Sequence, residues 1–124
     1  AEWTAACKKW VDMVIAAPWN PRKALLDISA MAEHAKHLLA TDEADAIEKS
    51  KINAQYWPKT GHEQLVRHTL LDGQWVRGGS TVHAYFDFGR VVGYDGGKPS
   101  TNHRAEITQA TPPQMHGHPR ISKD

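Results

Sequence analysis

Cysteine is nearly absent: Cys7 stands alone among 124 residues. A single thiol excludes a disulfide scaffold, and cysteine-based zinc and iron–sulfur sites with it. Any metal would have to be held by histidine and carboxylate. Long apolar runs are missing too. The longest, 14–18, falls far short of the roughly 18 residues of a membrane span. Nor does one sign of charge dominate, since 15 Lys/Arg face 14 Asp/Glu for a net charge of +1. What is left is an ordinary globular composition, 40% hydrophobic and 23% charged, at the length of one domain. A chain of this size buries about two-thirds of its unfolded surface and needs no covalent staple.

Histidine and tryptophan are abundant, with eight and five copies. Charge is also uneven along the chain. Residues 1–48 carry five Lys/Arg against eight Asp/Glu, whereas residues 49–124 carry ten against six, together with six of the histidines. A basic, histidine-rich second half suits an anionic partner. The opening Ala1-Glu2-Trp3 has no initiator methionine, basic leader or signal-peptide core. It leads to the expectation of a single domain, 1–124, cut from a longer polypeptide.

Periodicity divides this domain into a mainly helical part, 1–71, and a β part, 72–124. Trp3, Cys7, Trp10 and Val14 predict an amphipathic helix over 2–16 with Cys7 in its core face. Asn20-Pro21 reads as an N-cap and first helical residue, and an apolar stripe from Leu25 to Leu39 predicts a helix over 22–39. Thr41 or Asp42 caps a third helix to about residue 55, and a fourth spans 61–71. Asp72-Gly73 is a turn. Strands follow over 74–77, 81–88, 90–94 and 101–109, with a short edge strand over 115–121. On the second of these, Val82, Ala84 and Phe86 alternate with His83, Tyr85 and Asp87. On the fourth, His103, Ala105 and Ile107 alternate with Asn102, Arg104 and Glu106. The expected class is α+β, with N-terminal helices packed on a C-terminal antiparallel sheet.

Several tempting motifs fail on spacing. His62 and His68 lie six apart, so they do not share a helix face as a zinc-protease pair four apart does. Gly89, Gly93, Gly96 and Gly97 precede a strand rather than a helix, which reads as hairpin turns and not a phosphate loop. His34 and His37 fall beside Glu33 and Lys36 and read as solvated helix residues. Trp19, Trp57 and Trp75 sit at element ends, where an indole can be partly exposed or serve as a stacking platform.

The sheet and tail carry the chemistry. His83 and Tyr85 belong to one strand, Thr101, His103 and Arg104 to a neighbour, and His116, His118 and Arg120 to the tail. Imidazole both accepts and gives protons near neutrality, and guanidinium grips a phosphate and stabilises charge at phosphorus. Two imidazoles and a phosphate clamp suffice to cleave RNA through its own 2′-hydroxyl with no cofactor. In that scheme His83 or His103 is the base and His116 or His118 the acid. Arg104 and Arg120 hold the phosphate with Thr101 and Lys98, and Tyr85 and Arg90 contact the substrate. His116-Gly117-His118 has a second meaning, because residues two apart on a strand face one side. Both rings could then hold one metal with Asp87 or Glu106, giving a metal-dependent nuclease or hydrolase. A third reading is a non-catalytic interaction or inhibitor protein whose exposed tryptophans form the contact.

Residues 81–88, 101–107 and 116–121, a sheet bearing His, Arg and Thr behind a lead of helices, resemble the barnase–EndoU–colicin–RelE class of small ribonucleases. The resemblance implies a microbial-ribonuclease-like fold. It implies the C-terminal toxin domain of a bacterial contact-dependent inhibition or other polymorphic toxin system. Such a domain is secreted within a larger carrier and acts in the target-cell cytoplasm on tRNA or another structured RNA. The partner it implies besides RNA is a cognate immunity protein.

Overall fold

A computed structural model describes residues 21–32, 34–59, 61–78, 81–108 and 111–121. The expected helix over 2–16, with Cys7, Trp3 and Trp10, lies outside these residues, as does Trp19. Within them the chain is α+β, three helices with a five-stranded and a three-stranded sheet.

Helix α1, Pro21–Asp27, begins on a proline at its first turn, where the missing N–H has no helical partner to lose. It stops well before residue 39. The Ser29 hydroxyl donates to the Leu25 carbonyl at 2.6 Å, a local bond that competes with further helix. The chain then extends as β1, Ala30–Met31. Ile28, counted in the expected stripe, is 65% exposed. A 3-10 turn, Ala35–His37, follows. Helix α2, Glu43–Lys49, is capped as expected, with the Asp42 carboxylate accepting from the Asp45 N–H at 2.8 Å. It also ends early, and Gln55–Tyr56 forms β2. Helix α3, His62–Asp72, starts after Gly61 at φ +88°, a conformation glycine reaches freely.

The remaining strands are β3 (Gln74–Gly78), β4 (Thr81–Asp87), β5 (Gly93–Asp95), β6 (Lys98–Ser100), β7 (Asn102–Thr108) and β8 (Gln114–Arg120). The large sheet has the order β1-β8-β7-β4-β3, antiparallel except for β1, which runs parallel to β8. Two expectations change here. The segment after β4 does not return beside it; β5 joins β2 and β6 in the small sheet. The last strand is interior, because β1 covers it, with Ala30 and Ala32 N–H groups donating to the Pro113 and Met115 carbonyls at 2.8 and 2.7 Å. Covering satisfies an edge that would otherwise expose a row of backbone groups.

Helices α1 and α3 cover one face of the large sheet. Leu26, Val66 and Leu70 meet Ala84, Ala105, Ile107 and Met115 in a buried cluster. Each fully buried Leu or Val contributes about 1.5–3 kcal/mol of transfer free energy. Small Ala84, Ala105 and Gly117 stand side by side across β4, β7 and β8. A Cβ at Gly117 would run into the Arg104 carbonyl and the His103 ring, so the middle of the His-Gly-His motif has no room for a side chain. Among the described residues no helix is long and apolar enough to cross a membrane.

Candidate active site

The pleat sorts the central strands into two sets of rows. Toward the helices lie Val82–Ile107–Met115, Ala84–Ala105–Gly117 and Phe86–His103–Pro119. On the outer face lie His83–Glu106–His116, Tyr85–Arg104–His118 and Asp87–Asn102–Arg120. Adjacency of the two long strands, which the sequence left open, places His83, Arg104, His116, His118 and Arg120 on three neighbouring strands and one face.

His103 is not among them. It faces α3 and is wholly buried, its Nε2 2.6 Å from the Tyr56 hydroxyl and its Nδ1 2.8 Å from the Thr69 hydroxyl. Both nitrogens are thus engaged, one as donor and one as acceptor, as a neutral imidazole allows. Burial, with a further push from His37, lowers its pKa to about 3. The expected role of His103 as a base is corrected: the sheet separates it from the outer face.

Two histidines read as solvated helix residues join the site instead. The expected α-helix does not carry them; His34 precedes and His37 ends the 3-10 turn. The His37 Nδ1–H donates to the Ala54 carbonyl at 2.7 Å, which buries the ring and leaves Nε2 as its acceptor nitrogen. That ring stacks on His118 with centroids 4.9 Å apart, and His34, itself exposed, lies 4.3 Å from His116. The segment is tied down by Gln55. Its buried amide accepts from the Leu39 and Ala40 N–H groups and donates to the Lys36 and Asn53 carbonyls.

Charge on the outer face is arranged around Glu106. His116 Nε2 lies 3.2 Å from Glu106 Oε2, and Arg104 Nη2 lies 4.0 Å from the same oxygen. The guanidinium groups of Arg104 and Arg120 each sit 6.0 Å from the Tyr85 ring centroid, and His83 meets that ring edge-on. Two buried atoms here have no hydrogen-bond partner: Nδ1 of His83 and Nε of Arg104. An unpaired buried polar atom costs about 1–3 kcal/mol, so a pair of them on one face is where a polar ligand would stabilise the molecule most.

His37, His83, His116 and His118 titrate below the usual histidine range. Desolvation is the main cause for each. Arg104 adds to it for His83, while His34 adds to it for His116 against the opposing pull of Glu106. His118, desolvated beside His37 and Arg120, is lowered to about 3. Neutral imidazoles beside guanidinium are poised to accept protons, and His116 is the one with a carboxylate to support its charged form.

The other expected residues fall elsewhere. Thr101 lies just before β7, out of step with Asn102 and Arg104, its carbonyl bonded to the Phe88 N–H. Lys98 is exposed on the small sheet, and Arg90 is exposed in the loop after β4. Asp87 is on the outer face at its far end and accepts from the Gly89 N–H. Strand β7 separates it from β8 and it lies level with Arg120, which puts its backbone roughly 12 Å from that of His118 and roughly 16 Å from that of His116. Among the described residues no three His, Cys, Asp or Glu side chains are placed to share a metal, so the alternative site of His116, His118 and Asp87 does not assemble. Glu106, the other expected third metal ligand beside His116 and His118, instead makes a direct carboxylate–imidazole contact with His116. No family model, curated protein or solved structure matches this chain.

Proposed function

We propose that the outer face is the active site of an endoribonuclease that works without a metal. The observation that carries the reading is Arg104, with its partnerless Nε, standing on β7 between His83 on β4 and the histidines of β8. Flanking strands lie roughly 10 Å apart across a central one, a span that lets groups on either side reach the two oxygens of one phosphodiester. His83, held neutral, takes the 2′-hydroxyl proton as that oxygen attacks phosphorus. His116 gives the departing 5′-oxygen its proton from the imidazolium form that Glu106 supports, and because burial lowers the pKa of this ring, cleavage should be fastest on the acid side of neutrality. Arg104 and Arg120 hold the non-bridging oxygens and meet the charge that develops there. The products are a 2′,3′-cyclic phosphate and a 5′-hydroxyl, so no group outside the chain and its substrate is consumed.

The same reading makes the chain a toxin domain cleaving tRNA or another structured RNA, checked by an immunity protein. Growth arrest on expression in a bacterium, with cut RNA on a gel, tests that role. The chemistry is tested with purified protein and RNA in excess chelator. The expected outcome is cleavage with cyclic phosphate ends, reduced at least a hundredfold in His83→Ala at an unchanged unfolding midpoint. Equal cleavage by His83→Ala and wild type removes the assignment. Activity that chelator abolishes and a divalent ion restores removes the metal-free mechanism.

A further inference from the structure

Between the N-terminal end of α3 and the loop after β4 lies a cavity of about 270 Å³, lined by Trp57, Pro58, Gln64, Leu65, Arg90 and Val92. The scheme above uses none of these residues for catalysis. Their chemistry is nonetheless specific. Trp57 offers a flat aromatic surface, Pro58, Leu65 and Val92 offer aliphatic walls, Gln64 offers an amide that both donates and accepts, and Arg90 offers a cation at the rim. Trp57 is also held in place. Its backbone N–H donates to the Val92 carbonyl at 3.3 Å, and its side chain packs against the cluster of Ala40, Ala46 and Tyr94.

A planar heterocycle carrying hydrogen-bonding edges and an attached anion satisfies all of these groups together. The ring stacks on indole, the amide meets the edge, and guanidinium meets the phosphate. Location points the same way. Arg90 follows Asp87 by three residues, and Asp87 ends the outer-face row that contains Arg120. The cavity lies on the α3 side of the sheet, but three residues span at most about 10 Å, so a strand whose phosphate lies on Arg104 and Arg120 reaches it by turning round the end of β4 at Arg90 within a few nucleotides.

We propose that this cavity binds one unstacked nucleobase of a single-stranded RNA segment beside the cut phosphate, an inference that rests on the ribonuclease reading. The test is fluorescence anisotropy with a labelled 2′-O-methyl RNA octamer, which cannot be cleaved. Trp57→Ala should weaken binding about tenfold, Trp57→Phe should stay within about threefold of wild type, and Gln64→Ala, an exposed change, should weaken it severalfold. Unchanged affinity in Trp57→Ala and Gln64→Ala overturns the proposal. So does an equal loss in Trp57→Phe and Trp57→Ala, because phenylalanine keeps a stacking face. A wild-type protein that binds the octamer through Trp57 but cuts no RNA overturns the ribonuclease reading and leaves the nucleobase site standing. A protein that cuts RNA while Trp57→Ala binds normally does the reverse.

Discussion

The histidines of the large sheet divide by what their ring nitrogens meet. His103 has a hydroxyl on each nitrogen and is wholly buried, whereas His83 has a buried nitrogen that meets nothing in the chain. The division was half legible. Alternation already grouped His103 with Ala105 and Ile107, the signature of a core-facing position. What it could not show is that hydroxyls from Tyr56 and Thr69, 47 and 34 positions away, would satisfy the ring. A consequence follows for acid stability. His103 and His118 titrate at about 3 in the folded protein, against 6.5 for a free imidazole. Above pH 6.5 neither state binds these protons and the stability is fully present. As pH falls from 6.5 toward 3 the unfolded chain takes up protons that the native state refuses. Each of the two histidines then costs about 1 kcal/mol per pH unit. Urea midpoints should therefore fall steadily between pH 6.5 and 4. His103→Gln, which stays neutral and keeps hydrogen-bonding capacity, should flatten that slope by about one proton. A midpoint independent of pH across this window would contradict the burial of both rings.

At the scale of elements, sequence was most informative where both faces of a strand differ. The alternation in β4 and β7 located them almost to the residue, because one side had to be apolar to meet α3 and the other did not. It failed where a segment's fate depends on something remote. The stripe from Leu25 to Leu39 suits a helix by itself, but β8 needs a partner along its outer edge and the chain after Ser29 supplies one. Residues 90–94 likewise look like the return of a hairpin, yet β7 takes the place beside β4 and leaves β5 to the small sheet. Since β1 lies shortly before the turn that carries His37, its pairing with β8 and the flanking bonds of Ala30 and Ala32 help hold the imidazole cluster together. Ala32→Pro removes one of them, the donor to the Met115 carbonyl, and leaves that carbonyl unpaired. Proline demands an extended residue before it, and Met31 is in a strand already, so the preceding residue meets that demand. The expected cost is about 1–3 kcal/mol in chemical denaturation, with faster hydrogen exchange concentrated in β8. An unchanged denaturation midpoint would mean that the β1–β8 pairing contributes little.

For the molecule as a whole, one sheet keeps its two faces for different work, and the charge balance decides how strongly the outer one can grip RNA. With a net charge of +1 the chain has little long-range pull on a polyanion. Affinity has to come from a few placed cations and from stacking rather than from a broad basic surface. Arg104 and Arg120 lie on the outer face and Arg90 at the cavity rim, which allows about three phosphate contacts. Single strands release roughly 0.7 counterion per neutralised phosphate, so log affinity should fall against log salt with a slope of about −2. Titrations of the octamer at several salt concentrations above pH 7, where His83, His116 and His118 are neutral, measure this directly. Arg120→Gln should make the slope shallower by about 0.7, while Trp57→Ala should lower affinity at every salt concentration and leave the slope alone, because stacking releases no counterions. A slope steeper than about −4 would place most of the contacts on cations outside this face, and the outer face would then not be where the strand lies.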